Sequence, residues 1–215
     1  MIVLDVETSG TEPTIHGLLS IGAVDFESSG RQFYEECRLR DGAHILEEAL
    51  VINGYTREDC INPDKKSESE ILQKFITWIE ESSDHTIAGQ NPLFDMGFLR
   101  AVADRNHISL SLAHRTIDLH SVTYFHMIRR GITPPLRNKR TDLNSDKIME
   151  YVGIPAEPKP HIALNGAKWE AEAFSRLFHE KALFEEFVSY PIPWRRSEDV
   201  TRHGRLGVSR HLWTE

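Results

Sequence analysis

The chain has 215 residues, 40% hydrophobic and 27% charged, which suits one domain with a sizeable core and leaves little room for two. A formal charge of −8 argues against holding nucleic acid by a globally positive surface, since a polyanion is repelled on average, but it leaves a local site open. No apolar run approaches the roughly 18 residues of a membrane span. Met1 opens directly onto a strand-like run, and Cys37 and Cys60 lack zinc-ligand or disulfide-framework spacing. The expectation is a cytoplasmic protein with ordinary thiols, no targeting segment and no membrane contact.

In chain order, Ile2 to Glu7, Leu18 to Phe26 and Phe33 to Leu39 read as three strands of an antiparallel meander, with Ser28-Ser29-Gly30 as the second turn. The period then changes: Ile71, Leu72, Phe75, Ile76 and Ile79 recur at helical spacing. Thr86 to Ala88 predicts a short strand, Phe94 to Arg105 a helix, and Arg115 to Leu119 a strand running into a helix that ends near Arg129. Leu143 to Val152 and a long segment from Leu164 to Val188 read as closing helices. A meander followed by βα units predicts an α/β fold with a mixed five-stranded sheet flanked by helices. Residues 1–188 form that domain, and 189–215, rich in Pro, Trp, Arg and His, form a tail that is either docked or mobile.

Asp5 and Glu7 alternate at the end of the first strand, so both carboxylates leave the same face of the sheet. Two adjacent acids repel, and bound divalent cations are the usual compensation; the plainer alternative is a turn-capping Asp5 beside a solvated Glu7. The next three residues decide between them. Asp5-Val6-Glu7-Thr8-Ser9-Gly10 resembles the first motif of the DEDDh 3'-5' exonucleases, the superfamily of polymerase proofreading subunits, oligoribonucleases and ribonuclease T. Ser20-Ile21-Gly22-Ala23-Val24 continues the resemblance, Asn91-Pro92-Leu93-Phe94-Asp95 is similar to the second motif, and His161-Ile162-Ala163-Leu164 to the third.

The resemblance implies a ribonuclease-H-like fold and a hydrolase that cuts phosphodiester bonds at single-stranded 3' ends of DNA or RNA. Its cofactors are two divalent cations, Mg2+ or Mn2+, roughly 3.5–4 Å apart. Carried over by position, Asp5 bridges the ions, Glu7 holds the water-side ion, Asp95 completes the other side, and His161 is the general base, suited to that role by the ordinary imidazole pKa near 6.5. Thr8, Ser9, Gly10 and Asn91 fall where the family meets the terminal nucleotide.

One position departs from the pattern. The family has an aspartate five residues after the histidine, and this chain has Gly166. Asn165 is rotated away around the helix, whereas Glu170 lies one turn further on the same face. Either Glu170 reaches back as a substitute, or the chain is a low-activity member, natural or engineered. The readings left open are an active exonuclease, a catalytically impaired nucleic-acid-binding member of the same fold, and a metal-free structural domain.

Arg129, Arg130, Arg137, Lys139 and Arg140 form a basic run without an intervening acid, near the helix breakers Gly131, Pro134 and Pro135. This predicts a charged loop, with Arg137, Lys139 and Arg140 as phosphate contacts or simply a solvated face. Phe94 and Phe98 are spaced as core residues of their helix, although aromatic faces also stack on bases. Trp194, Arg195, Arg196, Arg202, Arg205 and Arg210 make the tail a candidate nucleic-acid, protein-partner or homodimer surface.

Overall fold

The apolar, β-branched opening of the chain becomes the central strand of the sheet. In the computed structural model, which describes residues 1–195, β1 (Ile2–Thr8) is buried almost throughout. It pairs antiparallel with β2 (Leu18–Asp25), which pairs antiparallel with β3 (Gln32–Glu36). On its other side β1 runs parallel to β4 (Ile87–Gly89), and β4 to β5 (Ile117–Asp118), giving the order β3-β2-β1-β4-β5. This is the expected mixed five-stranded sheet.

Three helices precede β4: α1 (Glu47–Asn53), α2 (Arg57–Ile61) and α3 (Glu68–Glu80). α3 starts at a reciprocal capping box between Ser67 and Glu70. α4 (Pro92–Arg105) follows β4, and α5 (Leu119–Arg129) follows β5, its first amides capped by Asp118. Then come a hairpin of β6 (Leu136–Arg137) and β7 (Arg140–Thr141), α6 (Ser145–Val152) and α7 (Ala163–His179).

Alternation along β1 divides the core. Ile2, Leu4 and Val6 pack with Ile71 and Phe75 of α3 and Phe98 and Leu99 of α4. Val3 faces the opposite layer, with Met149 of α6 and Ala167 and Phe174 of α7. Asp5 and Glu7 share the Val3 phase, so α7 passes over them. It crosses very close to the sheet: a Cβ at Gly22 would lie 2.1 Å from the carbonyl carbon of Ala163, and Gly22 is the register partner of Asp5. No side chain fits at that crossing.

Three expectations need correcting. The segment Leu164 to Val188 is not one helix: α7 ends at His179 with Glu180 at φ 53°, and the apolar residues beyond it, Phe184 and Phe187, pack through a short 3-10 turn. The basic run 137–140 is an exposed hairpin, not a loop, turned by Asn138 and Lys139 at φ 50° and 63°. The second and third strands also end earlier than read, at Asp25 and Glu36, with Phe26–Ser28 forming a 3-10 turn.

A buried ion pair secures α7. Arg176 is fully buried, donates from Nε to Glu172 at 2.6 Å, and caps the carbonyls of Val152, Phe187 and Tyr190, while Glu172 accepts the amides of Leu183 and Phe184. Removing one partner strands the other charge in the core, so Glu172→Ala should cost about 3–5 kcal/mol. Thermal unfolding should show a melting temperature lowered by roughly 10 °C; an unchanged value would mean the pair does not hold the helix. Residues 189–195 also lie against the domain, with Trp194 packed on His126 and Tyr151. Arg196, Arg202, Arg205 and Arg210 lie outside the described residues.

Candidate active site

The strand ends and helix starts bring the acidic residues together. Asp5 and Glu7 leave the C-terminal half of β1. Asp95, in the first turn of α4, accepts the Val6 amide on Oδ1 at 3.0 Å, which fixes it against the same strand. Glu170 of α7 is buried and accepts the Gln90 amide on Oε2 at 3.1 Å, beside the end of β4. The carboxyl ends of β1 and β4, running parallel, thus converge with two helices on one acidic cluster, the place where open α/β sheets bind ligands.

Glu157 joins them. It lies in the segment between α6 and α7, only 8% of its side chain is exposed, and Oε2 is 3.7 Å from Nδ1 of His161. The sequence carries no signal for it, since Ala156-Glu157-Pro158-Lys159-Pro160 reads as a solvated loop.

The electrostatics follow from burial among like charges. Burial, then Glu170, Asp95, Glu7 and Glu157, hold the Asp5 carboxyl well above the usual range. Burial, then Glu157 and Asp95, push Glu7 up to about 8 against a hydrogen bond from Asn53. Asp95 is pushed up to about 7 by burial despite its backbone amides, and Glu170 is raised well above the usual range by burial and by Asp95. The cluster is therefore poised to release protons when a cation or a cationic side chain compensates it.

Gly166 has a definite neighbour. A Cβ there would sit 2.1 Å from Oδ2 of Asp5, so the Asp5 carboxylate leans into the space that the missing side chain leaves. Glu170, one turn along the same helix, is the acid whose charge acts most strongly on Asp5.

The donor chemistry fits hard divalent cations: carboxylate oxygens only, held close together in protonation states that a cation would reverse. Among the described residues, no three acidic, histidine or cysteine side chains stand as a ready-made metal cage. A bound ion would therefore turn some of these carboxylates, Asp5 among them.

The other sequence-predicted residues fall into distinct groups. Thr8 and Gly10 line a cleft of about 270 Å3 with Glu7, Ile52, Asn53 and Phe94. Ser9 is fully buried: its hydroxyl donates to His44 O and accepts the Gly17 amide, and its own amide donates to Gly17 O, so its polar side chain is engaged within the loop. Phe98 is a core residue as expected, whereas Phe94 is only partly buried and presents to the cleft. Asn91 stands exposed at the start of α4 at φ 57°, its amide bound to Asp118. Arg137, Lys139 and Arg140 are exposed on the hairpin. The segment just beyond the hairpin is tied in by Gln90, whose Nε2 donates to Leu143 O at 3.2 Å while its amide holds Glu170.

A groove of about 890 Å3 lies elsewhere, between α5 and α7 and lined by Phe125, Leu177 and Phe178. The acidic cluster, not the groove, carries the convergent chemistry. Among the described residues no helix is long and apolar enough to cross a membrane.

Comparison with known proteins gives a consistent picture. The family model of the 3'-5' exoribonuclease Rv2179c-like domain matches residues 1–178. DNA polymerase III PolC-type from Thermotoga maritima is 29% identical over 150 residues, 65% of this chain and 10% of that protein, so the chain spans about a tenth of this curated relative. Among solved structures, the zinc-bound form of the E. coli ExoI–ssDNA complex superposes with a TM-score of 0.65 at 17% identity, over 83% of this chain and 41% of that one. The nuclease domain of 3'hExo, a DEDDh family member bound to rAMP, gives a TM-score of 0.65 at 13% identity, over 85% of this chain and 93% of that domain. At these identities the superpositions speak to the fold, and the family match to the activity.

Proposed function

We propose, from the premise that this chain belongs to the 3'-5' exoribonuclease Rv2179c-like domain family, that it is a hydrolytic 3'-5' exonuclease acting on single-stranded RNA ends in preference to DNA. The observation that carries this reading is the convergence of Asp5, Glu7, Asp95 and Glu170 at the C-terminal ends of β1 and β4. Magnesium or manganese, two ions by the family arrangement, would neutralise the scissile phosphate and lower the pKa of the attacking water when bound there.

The residues of this chain do the rest. Asp5, Glu7 and Asp95 would hold the cations, and Glu170 would supply part of the charge that an aspartate at position 166 would have given. His161 takes the proton of the attacking water; a new P–O bond forms, the bond to the penultimate 3' oxygen breaks, and a nucleoside 5'-monophosphate leaves. Thr8, Gly10 and Phe94 border the cleft beside Glu7, which suits a terminal nucleotide: a polar rim for the sugar and an aromatic face for the base. End-labelled single-stranded RNA and DNA of one sequence, incubated with the protein in magnesium or manganese, test this directly. A 3' ladder on RNA is the expected product; faster degradation of DNA would move the substrate to the class suggested by the polymerase relative and ExoI.

Among the described residues, the exposed hairpin is a concentration of positive charge in a strongly acidic chain, and the segment just beyond it is tied to the Glu170 side of the site. Neutralising Arg137, Lys139 and Arg140 together should weaken single-strand binding and flatten its log–log salt dependence by about 0.7 per lost phosphate contact. An unchanged slope would return the hairpin to a solvated surface.

The structure adds a condition to restoring the family aspartate. In Gly166→Asp, the new Cβ must evict the Asp5 carboxylate from its niche into the remaining acids. Without metal the variant should be less stable than the parent; with magnesium the extra ligand should raise activity at least tenfold, which asks for only about 1.4 kcal/mol. No gain in Gly166→Asp combined with lost activity in Glu170→Ala would give the fourth-ligand role to Glu170 alone.

A further inference from the structure

We propose that Glu157 is a positioning residue for His161, holding the imidazole by Nδ1 so that Nε2 is left as the nitrogen that accepts the proton. This rests on the general-base assignment of His161 above. Glu157 lies in the Pro-rich approach to α7, where an acid would ordinarily point to solvent, yet its side chain is almost entirely covered. The two oxygens have separate tasks: Oε1 accepts the Ile162 amide at 3.3 Å, and Oε2 stands 3.7 Å from His161 Nδ1. The first contact pins the carboxylate to the backbone next to the histidine, and the histidine's own amide is fixed to Ile52 O at 3.1 Å. Both members of the pair are thereby held by main chain, so their relative placement does not depend on a free side-chain torsion alone.

The charges around Glu157 make the pairing necessary. Apart from His161, the groups that face Glu157 are themselves acids and none is a cation: Glu7 and Asp5 from β1, Glu170 from α7 and Asp146 from α6. Among the described residues its one ion-pair partner is His161. A covered carboxylate among acids is costly without a cation or a donor, and here the donor is the imidazole. A separation of 3.7 Å is longer than a made hydrogen bond, as is common for catalytic contacts in free enzymes, which tighten when substrate binds. In the reaction, Nε2 gains the water proton, the resulting imidazolium keeps its Nδ1–H on Glu157, and the Nε2 proton later returns to solvent; none passes to Glu157. A third group that orients the base is the arrangement by which histidine bases are generally made effective.

Glu157→Gln tests this, because the amide keeps the size of the side chain but has one acceptor oxygen for two donors. If that oxygen stays on the Ile162 amide, its NH2 faces Nδ1 and the imidazole loses its acceptor. The expected result is an unchanged melting temperature and KM, kcat lower by at least about tenfold, and partial recovery in Glu157→Asp. Nitrogen-15 NMR of the metal-free protein gives a readout independent of activity: neutral His161 should be mainly the Nδ1–H tautomer in the parent and lose that preference in Glu157→Gln. Should that variant fail to fold, Glu157→Asp and Glu157→Ala carry the same tautomer comparison. An active enzyme whose kcat and tautomer are both indifferent to Glu157→Gln would overturn the proposal and leave Glu157 as a backbone cap. A tautomer change in a protein with no exonuclease activity would uphold the pairing and overturn the function.

Discussion

Replacing Asp5 with Asn should lower exonuclease activity by at least about a thousandfold, roughly 4 kcal/mol of transition-state stabilisation, while making the metal-free protein more stable. The two effects have one cause. Asp5 is the acid on which all the others act, with Glu170, Asp95, Glu7 and Glu157 each raising its carboxyl, so ionising it in the folded protein is costly unless a cation compensates. Asn keeps the shape and removes the ionisable group, so the metal-free fold no longer has to hold a proton there, and on the proposed function the cations lose a ligand. Initial rates on labelled RNA in saturating magnesium, with calorimetric melting in chelator, measure both. Lower metal-free stability in Asp5→Asn would show that Asp5 serves the fold; undiminished cleavage would remove it from the reaction.

The same cluster should give the metal-free protein an inverted stability profile near neutrality. Glu7, pushed up to about 8, and Asp95, to about 7, bind their protons more tightly in the folded than in the unfolded chain. Unfolding therefore releases protons between the unfolded carboxylate range near pH 4 and about pH 8, and stability falls as pH rises through that window. The contribution is fully present at the acid end and lost above the folded pKa values. Its size is on the order of a few kcal/mol, or roughly 10 °C in melting temperature. Carboxylates with lowered values, such as Asp84 at about 2, act in the opposite sense but only at lower pH, so they do not mask it. Scanning calorimetry from pH 5 to 8.5 in chelator should show the decline, and magnesium, which favours the deprotonated cluster, should abolish it. A flat metal-free profile, or a decline that persists in Glu7→Gln combined with Asp95→Asn, would place its origin elsewhere.

How much of this was legible in the chain depended on whether the signal was local. The alternation of Ile2 to Glu7 already placed Asp5 and Glu7 on one face, because a strand's period needs no other information. Asp95 was recognisable from its motif at a helix start, and the structure adds the reason for its position, the Val6 amide across the sheet. α1 and α2 were missed because seven and five residues are too few to show a helical period. α7 was read too long because the apolar residues after His179 keep a helix-like spacing although Glu180 breaks the helix with a left-handed turn. Glu157 was invisible for a different reason. Its environment is assembled from β1, α6 and the start of α7, and its own Pro-rich segment does not distinguish it from a loop acid. Ser9 carries a signal whose structural partners were not legible: its motif suggested a ligand contact, and the structure shows its hydroxyl closing the loop onto His44 and Gly17.

The niche at Gly166 also makes positions 5 and 166 a single steric unit in any mutational path. A side chain can be added to the helix only if the strand's carboxylate swings aside. Substitutions at the two sites should therefore be strongly non-additive, with Gly166→Ala harmful beside Asp5 and nearly silent in an Asp5→Gly background.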